Sequence, residues 1–178
     1  METDRLILRK WVESDLDDLY EYAKTPGVGP MAGWEPHESK AESYEILQMF
    51  INSKNDDWAL VDKRSGKVIG SIGCRPDVSR KYSKAGNIGY VLAKPYWGKG
   101  IMPEVVNRIL EYYFTETDLE IISVTHGSHN PNSKRVIEKC GFVYEGTLRK
   151  ALLYRGEVKD SLLYSITKSE WQVISETR

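Results

Sequence analysis

The chain has 178 residues, of which 40% are hydrophobic and 29% charged, with a formal net charge of −1. That length suits one domain, residues 1–178, able to bury a core without disulfides or metals. The near-neutral charge argues against broad binding to nucleic acid or an anionic membrane, while leaving room for a local basic patch around a phosphorylated ligand. Met1-Glu2-Thr3-Asp4-Arg5 leads directly into a strand-like segment, and no apolar run approaches the roughly 18 residues of a membrane span, so a cytoplasmic location is expected. The two cysteines, Cys74 in an apolar strand pattern and Cys140 near a helix end, are expected as buried thiols.

Thr3 to Trp11 reads as a first strand, with Leu6, Ile7 and Leu8 among charged residues. Ser14 is placed to cap a helix with Asp17 in the capping-box position, and Leu16, Leu19, Tyr20 and Ala23 form its apolar stripe up to Pro26-Gly27. Gly27 to His37 reads as a loop that presents Met31, Trp34 and Glu35 to a site. Ser39 and Glu42 repeat the capping-box spacing, and Tyr44, Leu47, Phe50 and Ile51 are expected as the buried face of the next helix. Trp58 to Val61 and Lys67 to Arg75 form a hairpin around Lys63-Arg64-Ser65-Gly66.

Asn87 to Ala93 is a further strand, whose Gly89 suggests a bulge or a close backbone approach. Tyr96-Trp97-Gly98-Lys99-Gly100-Ile101-Met102-Pro103 joins it to a helix carrying Val105, Val106, Ile109, Leu110, Tyr113 and Phe114. Two glycines, a proline fit for a first helical turn and the amides of that turn read as an anion site. The spacing is neither a Rossmann nor a Walker A loop, since Pro103 replaces the third glycine and Gly98-Lys99-Gly100 lacks the Ser or Thr. An ordinary strand-to-helix turn is the plain alternative. Ile121 to Val124 reads as a buried strand, so strand, helix and strand imply a parallel crossover. Asn130-Pro131-Asn132-Ser133 opens another helix that Gly141 closes, and Phe142 to Tyr154 with Val158 to Thr167 end the chain as strands. No internal repeat or linker interrupts this α+β pattern.

With these elements placed, the chain resembles the GNAT N-acetyltransferase superfamily, and within it the branch that acetylates the N-termini of ribosomal proteins. The resemblance rests on Thr3-x-Arg5-Leu6-x-Leu8-Arg9, Ile88-Gly89-Tyr90 followed by Tyr96-Trp97-Gly98-Lys99-Gly100, and Glu104. It continues through Asn130-x-x-Ser133-x-x-Val136-x-Glu138-Lys139-x-Gly141-Phe142, Glu145-Gly146-x-x-Arg149, Asp160 and Glu170-Trp171. It implies a mixed, mostly antiparallel sheet splayed at a central parallel strand pair, flanked by helices, with acetyl-CoA as co-substrate. Tyr90, Val91 and Leu92 would then bond the pantetheine arm as an extra strand does. Amides of Trp97, Gly98, Lys99, Gly100, Ile101 and Met102 would hold the pyrophosphate, and Asn130 would reach the cofactor arm. The chain departs from the superfamily pattern at Trp97, at Met102, where Gly or Ala is usual, at Ile137, where an acidic-proton Tyr is usual, and at Asn87, where Glu is frequent.

Acetyl transfer needs a neutral amine, a polarised thioester carbonyl and a proton for the departing sulfur. Ser133, one turn before Ile137, is the expected acid, with helix capping as its plain reading. Glu35 is the candidate base, beside its reading as an exposed loop carboxylate. Trp34, Glu35 and Tyr154 are the candidate acceptor-binding residues. Glu104 and Asp160 read as structural charges, and His126-x-x-His129 with Cys140 lacks the second ligand pair of a zinc site, so no metal is expected. The residues leave three readings open: acetylation of a protein or peptide N-terminus, acetylation of a small amine such as a polyamine, amino acid or antibiotic, and acyl-CoA binding without catalysis. Exposed strand edges and the Trp171 tail permit a homodimer without requiring one.

Overall fold

A computed structural model describes residues 1–177. The order of elements is β1 (Leu6–Lys10), α1 (Leu16–Ala23), α2 (Gly29–Ala32), α3 (Lys40–Ile51), β2 (Asp56–Asp62), β3 (Val68–Pro76) and β4 (Ala85–Leu92). There follow α4 (Ile101–Glu116), β5 (Ile121–Gly127), α5 (Pro131–Lys139), β6 (Val143–Tyr154), β7 (Glu157–Thr167) and α6 (Lys168–Glu176). The strands form one seven-stranded mixed sheet in the order β1-β2-β3-β4-β5-β7-β6. Its parallel pair is β4 with β5, as the crossover through α4 requires.

The chain divides into two compact units, Met1–Cys74 with Gly89–Ile101, and Arg75–Ile88 with Met102–Arg178. In the first, β1 alternates as its sequence does: Leu6 and Leu8 are fully buried while Ile7 is exposed. β1 and β2 pair antiparallel from Leu6↔Asp62 to Lys10↔Trp58. Trp11 stacks on Phe50 at 5.1 Å between centroids. Ser39 caps α3 by accepting from the Glu42 amide at 3.1 Å, while Glu42 accepts from the Glu38 amide at 2.8 Å.

Four expectations here need correction. Ser14 caps nothing; it lies inside a 3-10 turn at Glu13–Asp15, and Asp15, pinned by Arg9 at 2.7 Å, accepts from the Val12 amide instead. The buried carboxylate outcompetes the hydroxyl because it satisfies an amide and a guanidinium together. Tyr44 is exposed, and Ser43, one position and about 100° around the helix from it, is buried in its place, while Leu47 of the expected face is fully buried and Phe50 and Ile51 are half-buried. The Gly27–His37 loop contains the short α2, ended by Gly33 at φ 92°. Gly89 is not a point of close approach, for a Cβ there would meet nothing within 4 Å. The close approach is at Gly70 of β3, where a Cβ would lie 2.3 Å from the Val91 carbonyl oxygen.

In the second unit, Phe114, Ile109 and Leu110 of α4 are fully buried, as are Ile122, Ile137 and Ile166, while Phe114 packs on Trp171 at 5.6 Å. β5 pairs antiparallel with β7 from Ile121↔Thr167 to Gly127↔Ser161, and β7 with β6 from Ser165↔Val143 to Glu157↔Tyr154. α6 is an element the sequence reading omitted. Its signal was present in Thr167-x-x-Glu170, which forms a capping box, with Glu170 accepting from the Thr167 amide at 2.8 Å. Cys74 and Cys140 are both buried thiols.

Candidate active site

The β4–β5 ladder runs only from Ala85↔Ile121 to Ile88↔Val124. β4 continues through Gly89, Tyr90, Val91 and Leu92, so these four residues lie beyond its parallel partner's ladder. Backbone groups along such a segment suit an extended ligand that lies down as a strand. Tyr90 and Val91 are half-buried and Leu92 is buried.

The loop that follows is built from backbone. Gly98 and Gly100 take φ of 72° and 73°, conformations that L side chains rarely adopt. A Cβ on Gly98 would meet nothing within 4 Å, and one on Gly100 would meet only Arg5 Nη2 at 3.8 Å. The glycines are therefore required by dihedral angle, and the space over them is open. Left-handed glycines just ahead of a 16-residue helix, whose first-turn amides have no partner within the helix, are the main-chain features of a phosphate site. These residues fit a pyrophosphate.

Two side chains hold the loop. Trp97 Nε1 donates to the Leu92 carbonyl at 2.6 Å, folding the loop back on the end of its strand. Arg5 Nη1 donates to the Lys99 carbonyl at 2.8 Å. Trp97 was expected as a backbone contributor, and Arg5 appeared only within the opening motif; neither clamp is legible from spacing. In the same unit a cavity of about 940 Å³ is lined by Arg5, Lys63, Arg64, Lys67, Lys94 and Lys99, among others. Met102 is buried at 4% exposure, so its larger side chain leaves the loop surface and joins the core.

In the second unit, Asn130 is buried and caps α5, its Oδ1 accepting from the Ser133 amide at 3.0 Å. The cap uses Oδ1 rather than Nδ2. Ser133 is half-buried in the first turn of α5, and Ile137, one turn on, is fully buried hydrocarbon. Tyr154 stacks on His129 at 3.8 Å between centroids. His126 Nδ1 lies 2.8 Å from the Gly127 carbonyl. No group of three or more His, Cys, Asp or Glu among the described residues is arranged to hold a metal ion. Asp160 accepts from the Lys150 amide at 2.8 Å, a structural duty at the β6 irregularity. Trp34 is half-buried, packed against Gly29 and 5.2 Å from the His37 ring, and Glu35 beside it is exposed.

A polar network in this unit escaped the sequence reading. Asp77 accepts from Ser123 Oγ at 2.7 Å and from the Ser79 amide at 2.9 Å. Asn87 Nδ2 donates to Ser123 Oγ at 2.8 Å. Arg80 lies between Asp77, at 3.5 Å, and Glu145, which also accepts from Ser165. Burial pushes the Asp77 carboxyl upward, but hydrogen bonds from Ser79 and Ser123 and the Arg80 charge outweigh it and leave the group below the usual carboxylate range. For Glu145, burial is likewise outweighed by bonds from Ser165 and Arg80.

The acetyltransferase (GNAT) domain matches residues 5–143. The chain is similar to the uncharacterized N-acetyltransferase YoaA of Bacillus subtilis, 29% identical over 94% of this chain and 96% of the relative. It is also similar to spermidine N(1)-acetyltransferase of Vibrio cholerae, 26% identical over 97% of this chain and 98% of the relative. A crystal structure of spermidine N-acetyltransferase from Vibrio cholerae with CoA and spermine shares the fold, with TM-score 0.80 at 24% identity over 94% of this chain and 98% of that one. Ribosomal-protein-S5-alanine acetyltransferase of Vibrio fischeri gives TM-score 0.76 at 26% identity over 96% and 97%. With a parallel β4–β5 pair, a left-handed glycine turn ahead of α4 and this family match along most of its length, the chain belongs to the GNAT acetyltransferase family and is an N-acetyltransferase.

Proposed function

We propose that the protein transfers the acetyl group of acetyl-CoA to a primary amine, most specifically the N-terminal amine of a protein or peptide, in a ternary complex. The observation that carries this reading is the Trp97–Gly100 loop, two left-handed glycines leading from a strand end that runs past its ladder with β5 into a helix N-terminus. Tyr90, Val91 and Leu92 bind the pantetheine arm; the amides of Trp97, Gly98, Lys99, Gly100, Ile101 and Met102 receive the pyrophosphate, and Asn130 supports the arm.

The neutral amine attacks the thioester carbonyl, a C–N bond forms, and collapse of the tetrahedral adduct breaks the C–S bond. A strand amide near Val91 or Leu92 stabilises the developing oxyanion, a contribution of about 3–4 kcal/mol per donor in acyl transfer. Ser133 protonates the leaving thiolate, because Ile137 offers no proton. Glu35, in the loop with Trp34, takes the proton lost by the attacking amine, and Trp34 and Tyr154 bind the acceptor. The work fits a cytoplasmic location, and no helix among the described residues is long and apolar enough to cross a membrane.

The test is thermal unfolding with saturating acetyl-CoA, with ATP and NAD as controls, followed by thiol-release assays on alanine- and serine-initiated peptides and on spermidine. At about 100 times Kd, binding adds about 2.7 kcal/mol. A rise specific to acetyl-CoA followed by peptide turnover is expected. Spermidine turnover in place of peptide turnover would transfer the acceptor to polyamines, and binding without turnover on any amine would leave an acyl-CoA-binding protein. Ser133→Ala with unchanged turnover would remove the assigned acid, and an unchanged pH–rate profile in Glu35→Gln the assigned base.

A further inference from the structure

The cavity of the first unit is lined by apolar residues, Leu6, Val68, Ile69 and Ala93 among them, and by charge. Arg5, Lys63, Arg64, Lys67, Lys94 and Lys99 stand against four carboxylates, Asp4, Asp18, Glu21 and Asp62, so the cavity is positive in a chain whose net charge is −1. Most of those carboxylates are already engaged. Glu21 pairs with Lys67 at 2.8 Å, and Asp18 accepts from the Val68 amide at 2.8 Å. Asp62 holds the hairpin turn, accepting from Ser65 Oγ at 2.8 Å and from the Arg64 amide at 3.3 Å. Arg64 and Lys94 have no ion pair among the described residues, and the Lys99 ammonium lies 5.6 Å from the Tyr96 ring centroid.

This surplus sits on exposed side chains of two separate turns, residues 63–67 and 94–99. Exposed charges at separate points each hold a compact ion weakly, but they add up along a chain that carries several opposite charges, and they speed its encounter. The cavity also borders the acceptor loop. Tyr22, in the last turn of α1, and Thr25, just past it, both line the cavity. The loop that carries Trp34 and Glu35 leaves from Thr25 and is tied back to α1 where the His37 amide donates to the Ala23 carbonyl at 3.2 Å.

We propose that this cavity docks an acidic stretch of the acceptor polypeptide, downstream of the N-terminus being acetylated, with Arg64 and Lys94 as specificity-determining charges. The inference rests on the reading of the acceptor as a protein or peptide N-terminus. A polyamine, itself a polycation, gains nothing from the same rim.

Thiol-release kinetics on two peptides that share their first residues test this, one continuing in glutamates and the other in serines. For the wild type, the glutamate peptide is expected to show a KM about fivefold lower, the combined worth of two exposed charges, with kcat alike and the advantage shrinking as salt is raised. In the double variant Arg64→Glu, Lys94→Glu the preference should reverse, so that a peptide continuing in lysines takes the lower KM while the acetyl-CoA KM is unmoved. That new preference also shows that the variant is folded. Equal KM values for the glutamate and serine peptides, or a glutamate preference that survives the charge reversal, overturns the inference and leaves N-terminal acetylation standing. Inorganic pyrophosphate that raises the melting temperature of the CoA-saturated wild type but not of the variant, with the peptides indistinguishable, likewise overturns it, since the cavity is then a small-anion site. Spermidine turnover without peptide turnover overturns the inference together with the acceptor reading.

Discussion

The glycine loop after β4 and the polar row through Asn87 are built by opposite means. Residues 97–101 are contiguous, and what they present is main chain: two dihedral angles, a helix start and a pair of side-chain clamps from Trp97 and Arg5. The row presents the side chains of Asn87, Ser123 and Ser165, aligned because β4, β5 and β7 pair in one register. A backbone site tolerates varied side chains and needs its glycines. A side-chain row tolerates varied loops and needs its register and its protons in order.

Substitutions that separate the two modes rank by size. Gly70→Ala acts beneath the loop, where the new Cβ meets the Val91 carbonyl, backbone that has no rotamer to move. About 3 kcal/mol of stability should be lost, the upper part of the range for overpacking, a drop of roughly 6–12 °C in the melting temperature. A variant melting within 2 °C of wild type would mean that β3 and β4 separate cheaply.

Next is Asp77→Asn, expected to cost about 2 kcal/mol at pH 7 through a buried acceptor that loses charge-assisted bonds. Its pH dependence follows from the direction of the shift. The folded-state carboxyls of Asp77 and Glu145 lie below their unfolded values, so their stabilisation is full above the unfolded pKa of about 4 and is lost as pH falls through the folded values. The gap between wild type and Asp77→Asn should therefore close in acid, and urea titrations at pH 7 and pH 3 that give equal gaps would contradict it.

Gly100→Ala comes third. Ala in the left-handed region costs about 1 kcal/mol, and because that conformation forms the loop, the acetyl-CoA KM should rise about fivefold with the amine KM unmoved. A shift in the amine KM instead would mean that the loop also serves the acceptor. The smallest effect expected is at Glu170→Ala, where half of the α6 capping box is lost at a cost of about 0.5–1 kcal/mol, read as a shift in melting temperature alone.

Much of this protein was written locally. Seven strand-like stretches, the Ser39 and Asn130 caps, the Lys63–Gly66 hairpin turn and the glycine loop each follow from residues within a few positions of one another, where propensity, capping and φ act. Where local signals compete, reading stops: Ser14 and Asp15 both suit a cap, and only Arg9 arriving from β1 favours the carboxylate. Tyr44 and Ser43 differ by one step around a helix, and the partner surface, not the spacing, selects the inward one. Tertiary structure alone decided the close approach at Gly70, the Arg5 clamp 94 positions from Lys99, and the Asp77–Ser123–Asn87 chain. Each brings together residues far apart in sequence, and the Ser123–Asn87 link depends on strand register, which is fixed by the whole sheet burying its apolar face rather than by any segment of the chain.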